Sequence, residues 1–444
     1  METVATRKAL GRKRMMAEDD EAKGAASMGW MEVEKEVLHS LETQKVLAKE
    51  GLEKKTTNSS ETLVKATFGR DWEDDEWAAW KANFEETEET TTIPEVKREE
   101  SMEEWEMRRQ EREKADLEIT GGDYEAWLAS EFRRDWNYVW SRGYGSFEDT
   151  TRILPMRFTY KPAPQYRAYP LETLQIFSAK VAATRGGLQW PLDVFGMVAM
   201  RDNIDHNRNI IFYRTRDNCQ TLTKEDPNLV LVGPTRAVVV LSPHPVIIEV
   251  DLKVKGTTES EDKDLSFLAV PFICGYQFYS RLHNCAYTSK LGTLEFTLGC
   301  IVSSVEATIF VRVIRGSWPD GFRGQFAAFT TGAHGTKTFC DKNAPSIDHE
   351  KIVLLDSRGE KVPVTGDGKI KLSRCVVSVE IRGELKVSVK AWKVDNNVVK
   401  KEKVFTPLKA GLSDDTLDIG FCKMEVNVAW SLISADPVLA ESVL

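Results

Sequence analysis

The stretch FCKMEVNVAWSLIS, Phe421 to Ser434, decides how this 444-residue chain folds. Cys422, Met424, Val426, Val428, Trp430 and Leu432 fall on one face of an extended backbone, and Lys423, Glu425, Asn427 and Ser431 fall on the other. Successive side chains of a strand point to opposite faces, so the alternation predicts a long strand with one face in a core and one in water. Trp430 then belongs to the core.

The same signature recurs upstream. Leu174 to Ala183, Val194 to Arg201, Asn209 to Tyr213, Leu229 to Val232, Ala237 to Leu241 and Val246 to Lys255 read as strands. Turn signals separate them at Gly186-Gly187, Asp202 to Arg208, Gly233-Pro234 and Ser242 to Pro245. Thr293 to Ile301 and Val305 to Ile314 follow. Val376 to Trp392 reads as a hairpin turning at Arg382-Gly383-Glu384, with Val377, Val379 and Ile381 answered by Leu385, Val387 and Val389. So many short strands without a helical pattern predict a mainly β fold, a large antiparallel β-sandwich with Greek-key-like connections over residues 172–434.

Charge divides the chain. Residues 1–161 carry 37 acidic and 26 basic side chains, net −11, and the remainder carries 32 and 34, net +2, which together give the overall −9. Eight of the twelve Trp precede Ser141. This predicts a basic and acidic disordered tail (1–30), a charged, Trp-bearing arm that is helical or partly disordered (31–145), a linker (146–171) containing the Pro-rich PAPQYRAYP, the sandwich (172–434) and a short tail (435–444).

In the tail, Arg7, Lys8, Arg12, Lys13 and Arg14 form a basic cluster followed by Glu18 to Glu21, either an import or phosphate-binding patch or an ordinary charged terminus. Val33, Val37, Leu41, Ala48 and Leu52 recur near helical spacing. Two segments share a pattern, Phe68-Gly-Arg70-Asp71-Trp72 with Trp77 and Trp80, and Phe132-Arg-Arg134-Asp135-Trp136 with Trp140. Tyr124, Leu128, Phe132, Trp136 and Trp140 step by four along an otherwise charged segment. Aromatic anchors on a polar helix suit a partner's groove, which makes Trp72, Trp77, Trp80, Phe132, Trp136 and Trp140 candidate partner-binding residues. The competing reading docks the stripe on the protein's own β domain. Glu85 to Glu89 and Glu99 to Glu118 are charge-dense and read as solvated helix or tether.

No stretch is long or apolar enough to span a bilayer, and the first thirty residues are charged, so the expectation is a cytoplasmic or nuclear protein that is not secreted. Seven Cys with no close pair fit reduced thiols.

GSFEDTTRILPMRFTY (Gly145 to Tyr160), LQIFSAKVAATRGGLQWPLDVFGMVAMRD (Leu174 to Asp202), NRNIIFYRTRDNCQTL (Asn207 to Leu222), LVLVGPTRAVVV (Leu229 to Val240) and VIIEVDLKVKG (Val246 to Gly256) together resemble a grass-plant domain of unknown function. That domain also occurs C-terminal to a ribosome-inactivating N-glycosylase in jasmonate-induced cereal proteins. The resemblance covers about Gly145 to Ser434 and implies a stress-linked accessory module. It supplies no catalytic residues. The glycosylase's Glu-Ala-Ala-Arg pattern does not occur in this chain.

Catalytic signatures are also missing: there is no Gly-x-Ser-x-Gly, His-Glu-x-x-His or Cys-x-x-Cys. The run from Gly332 to Thr338 lacks the spacing of a phosphate loop and reads as a glycine-rich surface loop. Asp202, Asp205, His206 and Asp217, and likewise Glu259, Glu261, Asp262 and Asp264, could hold calcium, although solvated turns explain such clusters more commonly. Arg214, Arg216, Asp217 and Asn218 form the densest polar block, either a recognition loop or a loop fixed by an Arg and Asp pair. The expectation is therefore a non-enzymatic interaction module with no catalytic residue, cofactor or metal, meeting a protein partner through its arm and neither membrane nor nucleic acid. The alternatives are a hydrolase, or an rRNA- or nucleotide-acting enzyme, with a site built from loops, and a nucleic-acid-binding protein without catalysis. A β domain of net +2 argues against the last.

Overall fold

A computed structural model describes residues 123–434, apart from 162, 164–166, 242–243, 276, 333–345, 359–360 and 394–397. The described part is mainly β, as the alternation predicts, and every sheet is antiparallel. The largest sheet runs β15 (Ala410–Asp418), β16 (Cys422–Ser431), β9 (Gly292–Gly316), β1 (Leu171–Thr184) and β5 (Val238–Val239), with β8 (Arg281–Thr288) and β12 (Val376–Glu380) also paired to β9. A second sheet orders β3 (Asn209–Arg214), β2 (Leu192–Arg201), β6 (Val246–Val254) and β7 (Lys263–Phe272), and β4 (Gln220–Leu222) pairs with β2. A third orders β11 (Ile352–Asp356), β10 (Arg323–Thr330), β13 (Leu385–Trp392) and β14 (Val398–Phe405).

Three sheets enclose two main cores. Strand β9 serves both: Leu294, Phe296, Leu298 and Cys300 pack with the second sheet, whereas Val305, Ala307, Ile309 and Val311 pack with the third. The sequence suggests two strands here. The structure shows one 25-residue strand interrupted by a bulge, where Ser303 adopts φ 45° and the partner of β1 jumps from Ile301 to Ser304. One extra residue moves the side chains that follow it to the other face, which lets a single strand change cores. The closing strand behaves as its pattern requires, with Met424, Val426, Val428 and Trp430 fully buried. Trp430 Nε1 donates to Ser413 Oγ at 2.9 Å.

Two expectations are corrected. Val376 to Trp392 is not a paired hairpin: β12 pairs with β9 in the first sheet, and β13 pairs with β10 and β14 in the third. The alternation marks both strands, but the turn at Gly383 carries the chain across the core instead of back along a ladder. Cys274 and Cys300, 26 residues apart, form a buried disulfide between the loop after β7 and strand β9, so not all thiols are free. Of the two readings of the aromatic stripe, the structure shows the one that docks it on the chain's own β domain. Helix α1 (Tyr124–Val139), capped by Asp123, lies on β7, and α2 (Ser141–Tyr144) follows it. Phe147 and Phe158, in the segment expected to be a linker, are buried.

Strands β2 and β6 show the consequence of that docking. Met197 to Arg201 and Val246 to Val250 are buried at every position; one face meets the core, and over the other the rings of Phe132, Trp136 and Phe147 stand on Arg201 at the end of β2. Strands covered on both faces lose the period-two signal.

Candidate functional site

Charged residues do not belong in such a doubly covered layer unless they are paired, yet the layer holds several. Arg201 closes β2, and its Nε donates to Glu249 Oε2 at 2.7 Å from the middle of β6. Arg208 Nη2 reaches the other oxygen of Glu249 at 2.6 Å. The remaining nitrogens of Arg201 donate to the carbonyls of His206 (2.9 Å) and Phe147 (2.6 Å). The Phe147 ring lies 4.1 Å from the Arg201 guanidinium and meets Phe132 and Trp136 edge-on. Trp136 Nε1 donates to the His206 carbonyl at 2.9 Å, and the Trp140 ring stacks on the His206 imidazole at 3.8 Å.

A second cluster adjoins it. Arg236 makes a bidentate pair with Asp202 at 2.6 and 2.8 Å and also reaches Asp205 at 3.0 Å. Asp202 further accepts from the amides of Val239 (2.8 Å) and Ile204 (3.1 Å), and Asp205 accepts from Thr151 Oγ1. Glu306 accepts from the amides of Met156 and Ala237, both at 2.8 Å. A cavity of about 30 Å³ opens beside it, lined by Ile153, Ile204, Arg236, Glu306, Leu432 and Ile433. That is room for a water or two and no more.

Three guanidiniums face three carboxylates here, and the electrostatics follow from their mutual proximity. Burial alone would raise the carboxyl of Asp202, but Arg236 and the two amides hold it below the ordinary value. Burial would likewise lower Arg236, and Asp202 and Asp205 reverse that. Burial raises Glu306, which has amides but no paired cation. Burial also drops the His206 imidazole to about 4. Arg236 and Asp202 thus hold each other in the ionised form. Such an arrangement locks segments together, and Glu306, held by two amides, is the carboxylate of the cluster that no guanidinium pairs.

The candidate partner-binding residues separate accordingly. Phe132 and Trp136 are buried on the inner side of α1 against Arg201 of β2 and Phe147, and Trp140 covers His206, so these three serve internal docking. Trp72, Trp77 and Trp80 lie outside the described residues. In the polar block, Arg216 pairs with Asp262 at 2.9 Å and donates to the Gly256 carbonyl at 3.0 Å, fixing one loop to another. The fixing carboxylate is Asp262 and not the neighbouring Asp217. Asp217 and Asn218 lie in a one-turn 3₁₀ helix, and Arg214 ends β3. The carboxylates weighed for calcium are divided in the same way, Asp202 and Asp205 by Arg236 and Asp262 by Arg216. Among the described residues no group of three or more His, Cys, Asp or Glu has the arrangement of a metal site. Residues 333–338 of the glycine-rich loop lie outside the described residues.

Sequence reading passed over Arg201, Arg236, Glu249, Glu306 and Phe147. A signal did exist, since Glu249 interrupts VIIEV and Glu306 interrupts SSVEATIFV, acids in otherwise apolar strands.

A family model described as a domain of unknown function, DUF6598, matches residues 173–428. The chain belongs to that family. The match begins inside β1 and ends inside β16, so the DUF6598 domain takes in all three sheets, while α1 and Phe147 precede the matched span. No curated protein matches the chain. Among solved structures, human GIVD cytosolic phospholipase A2 is similar at 11% identity with a TM-score of 0.19, covering 61% of this chain and 31% of that one. The two calcium-bound C2 domains of extended-synaptotagmin 2 are similar at 10% identity and TM-score 0.19, covering 61% of this chain and 100% of that one. The chain thus matches less than a third of the phospholipase's length, 31%. A TM-score of 0.19 carries no conclusion about fold or activity. Among the described residues no helix is long and apolar enough to cross a membrane.

Proposed function

We propose that this DUF6598 protein is a non-catalytic interaction module, an accessory component of plant stress or defence responses, which meets protein partners through the Trp-bearing segment before Asp123. The observation that supports a binding role over a chemical one is the internal commitment of the buried charges: Arg201, Arg208 and Arg236 are each matched to Glu249, Asp202 or Asp205. The family resemblance supports the accessory reading. In this proposal the compartment is cytoplasmic or nuclear, and the Cys274–Cys300 bond is the observation that runs against it, since disulfides persist in oxidising compartments. Trapping thiols by alkylation before cell lysis decides that point.

Proximity labelling with the full chain and with a Trp72→Ala, Trp77→Ala, Trp80→Ala variant tests the function. Loss of a reproducible set of labelled proteins in the variant is the expected result. An unchanged set, or hydrolysis of rRNA or nucleotides by the purified protein that a point substitution abolishes, would sink the proposal.

A further inference from the structure

The outer face of the third sheet is built for a ligand that the proposed function does not specify. Alternation along its strands turns Phe326, Ala328, Val387 and Val389 into the core and leaves Arg323, Phe329, Lys386, Lys390 and Trp392 outside. Register places Lys390 between Gln325 and Lys400, and Ser388 between Ala327 and Glu402. Lys351 reaches the same face, its Nζ donating to Gln325 Oε1 at 3.0 Å. Five cations thus stand on this face against two acids, Asp356 and Glu402, a net excess of about three positive charges; Glu402 is shared between Lys400 at 3.2 Å and Lys386 at 3.9 Å, and Lys390 has no acid beside it in the register. Two of the lysines lie over aromatic rings, Lys386 over Phe329 at 5.1 Å and Lys390 over Trp392 at 5.2 Å. Val398 and Val404 on edge strand β14 are 53% and 52% exposed.

The second sheet shows what such a face accepts. Its outer side also carries cations beside a carboxylate, Arg201 and Arg208 with Glu249, and aromatic rings of an otherwise polar segment cover it: Phe132, Trp136 and Phe147. The third sheet repeats the chemistry with lysines, while α1 lies on β7 of the second.

We propose that the outer face of the β11-β10-β13-β14 sheet binds an acidic peptide segment bearing aromatic side chains, supplied by a partner protein. Carboxylates would pair with Lys386, Lys390 and Lys400, and the aromatic rings would seat on the lysine stems and on Val398 and Val404. A phosphate backbone fits less well, because Glu402 and Asp356 interrupt any continuous cationic track. This rests on the interaction-module reading and deepens it.

The test uses the full chain, a fluorescent 15-residue glutamate-rich peptide with three Trp, and a Lys386→Glu, Lys390→Glu, Lys400→Glu variant whose unfolding midpoint is checked against the parent. The peptide should bind the parent, at least tenfold more weakly the variant, and at least tenfold more weakly when its Trp are replaced by Ala. Absence of binding, equal binding by the variant, or equally tight capture of single-stranded RNA of the same length overturns the proposal. So does self-association of the protein in sedimentation that the triple substitution abolishes, which would make the occupant a second copy. Partners that still depend on Trp72, Trp77 and Trp80 in proximity labelling would leave the broader functional reading standing if this one fails.

Discussion

Arg236 ties its own segment to two others, since Asp202 and Asp205 of one loop and Thr151 of another segment all bond its guanidinium. Removing it strands two buried carboxylates, and a buried pair broken from one side costs about 3 to 5 kcal/mol. Arg236→Met should therefore lower the unfolding free energy by about that amount in a denaturant titration; a change under about 1 kcal/mol would show that the carboxylates are solvated. His206 supplies a pH test. Its ring is held down to about 4 from 6.5 by burial, so the unfolded chain takes up a proton at a pH where the folded chain does not. Stability attributable to this group is then present above pH 6.5 and declines as the pH falls toward 4, by at most about 3 kcal/mol, because each pKa unit is worth about 1.4. Partial exposure of the ring makes that figure a ceiling. His206→Asn keeps the backbone carbonyl that Trp136 and Arg201 use and suits the positive φ of 52°. Thermal melts of this variant should lose the pH 6.5 to 4 slope, and retention of the full slope would assign it to other groups.

Helix α1 is held by the same chemistry at the level of elements. Asp123 caps its first turn by accepting from Ala126 N, and Leu128, Phe132 and Trp136 turn one stripe onto the sheet while Tyr138 on the far side is 87% exposed. Trp136 is 2% exposed and donates to a buried carbonyl, so Trp136→Ala removes packing and a hydrogen bond together, a loss of about 3 to 5 kcal/mol. Because α1 lies on β7 and its Trp136 stands over Arg201, amide exchange in β7 and near Arg201 should accelerate in this variant more than exchange in β13; equal effects would mean that α1 does not protect the second sheet. Strand β2 also depends on Gly196, where φ is 112° and a Cβ would stand 2.1 Å from the Asp251 carbonyl oxygen across the ladder. Only glycine allows both that backbone and that approach.

At the scale of the whole molecule, the bond from Cys274 to Cys300 ties the chain leaving the second sheet to the strand that both cores share. Closing a loop of 26 residues restricts the unfolded chain by about 3 kcal/mol in the chain-entropy account. Denaturant unfolding with and without dithiothreitol should differ by about that amount, and a Cys274→Ser, Cys300→Ser variant should be indifferent to the reductant. Identical curves for the parent would mean the bond does not form in solution. The shared strand also explains why one family match spans all three sheets: neither core closes without β9, so the sheets form a single unit.

What the sequence determined by itself is the β class and the position of many strands, because alternation is a local property that a one-sided core imposes directly. Strand β16 is legible down to Trp430 for that reason, and so are β1 and β6 in outline. Pairing was not legible. Val376 to Trp392 satisfies the pattern of a hairpin, yet its halves go to different sheets, since alternation states which face is buried and not which neighbour supplies the hydrogen bonds. The charged cluster was legible in part, as Asp202, Asp205 and His206 in one polar loop and as isolated acids in apolar strands, without the arginines that pair them. Glu249 meets Arg201 from 48 residues away, and Glu306 meets Ala237 from 69, so tertiary folding alone decided that these residues would lock the domain. The stripe from Tyr124 to Trp140 announced a docking helix from its spacing. That it docks on its own domain followed only when the sheet presented Arg201 and the His206 carbonyl beneath it.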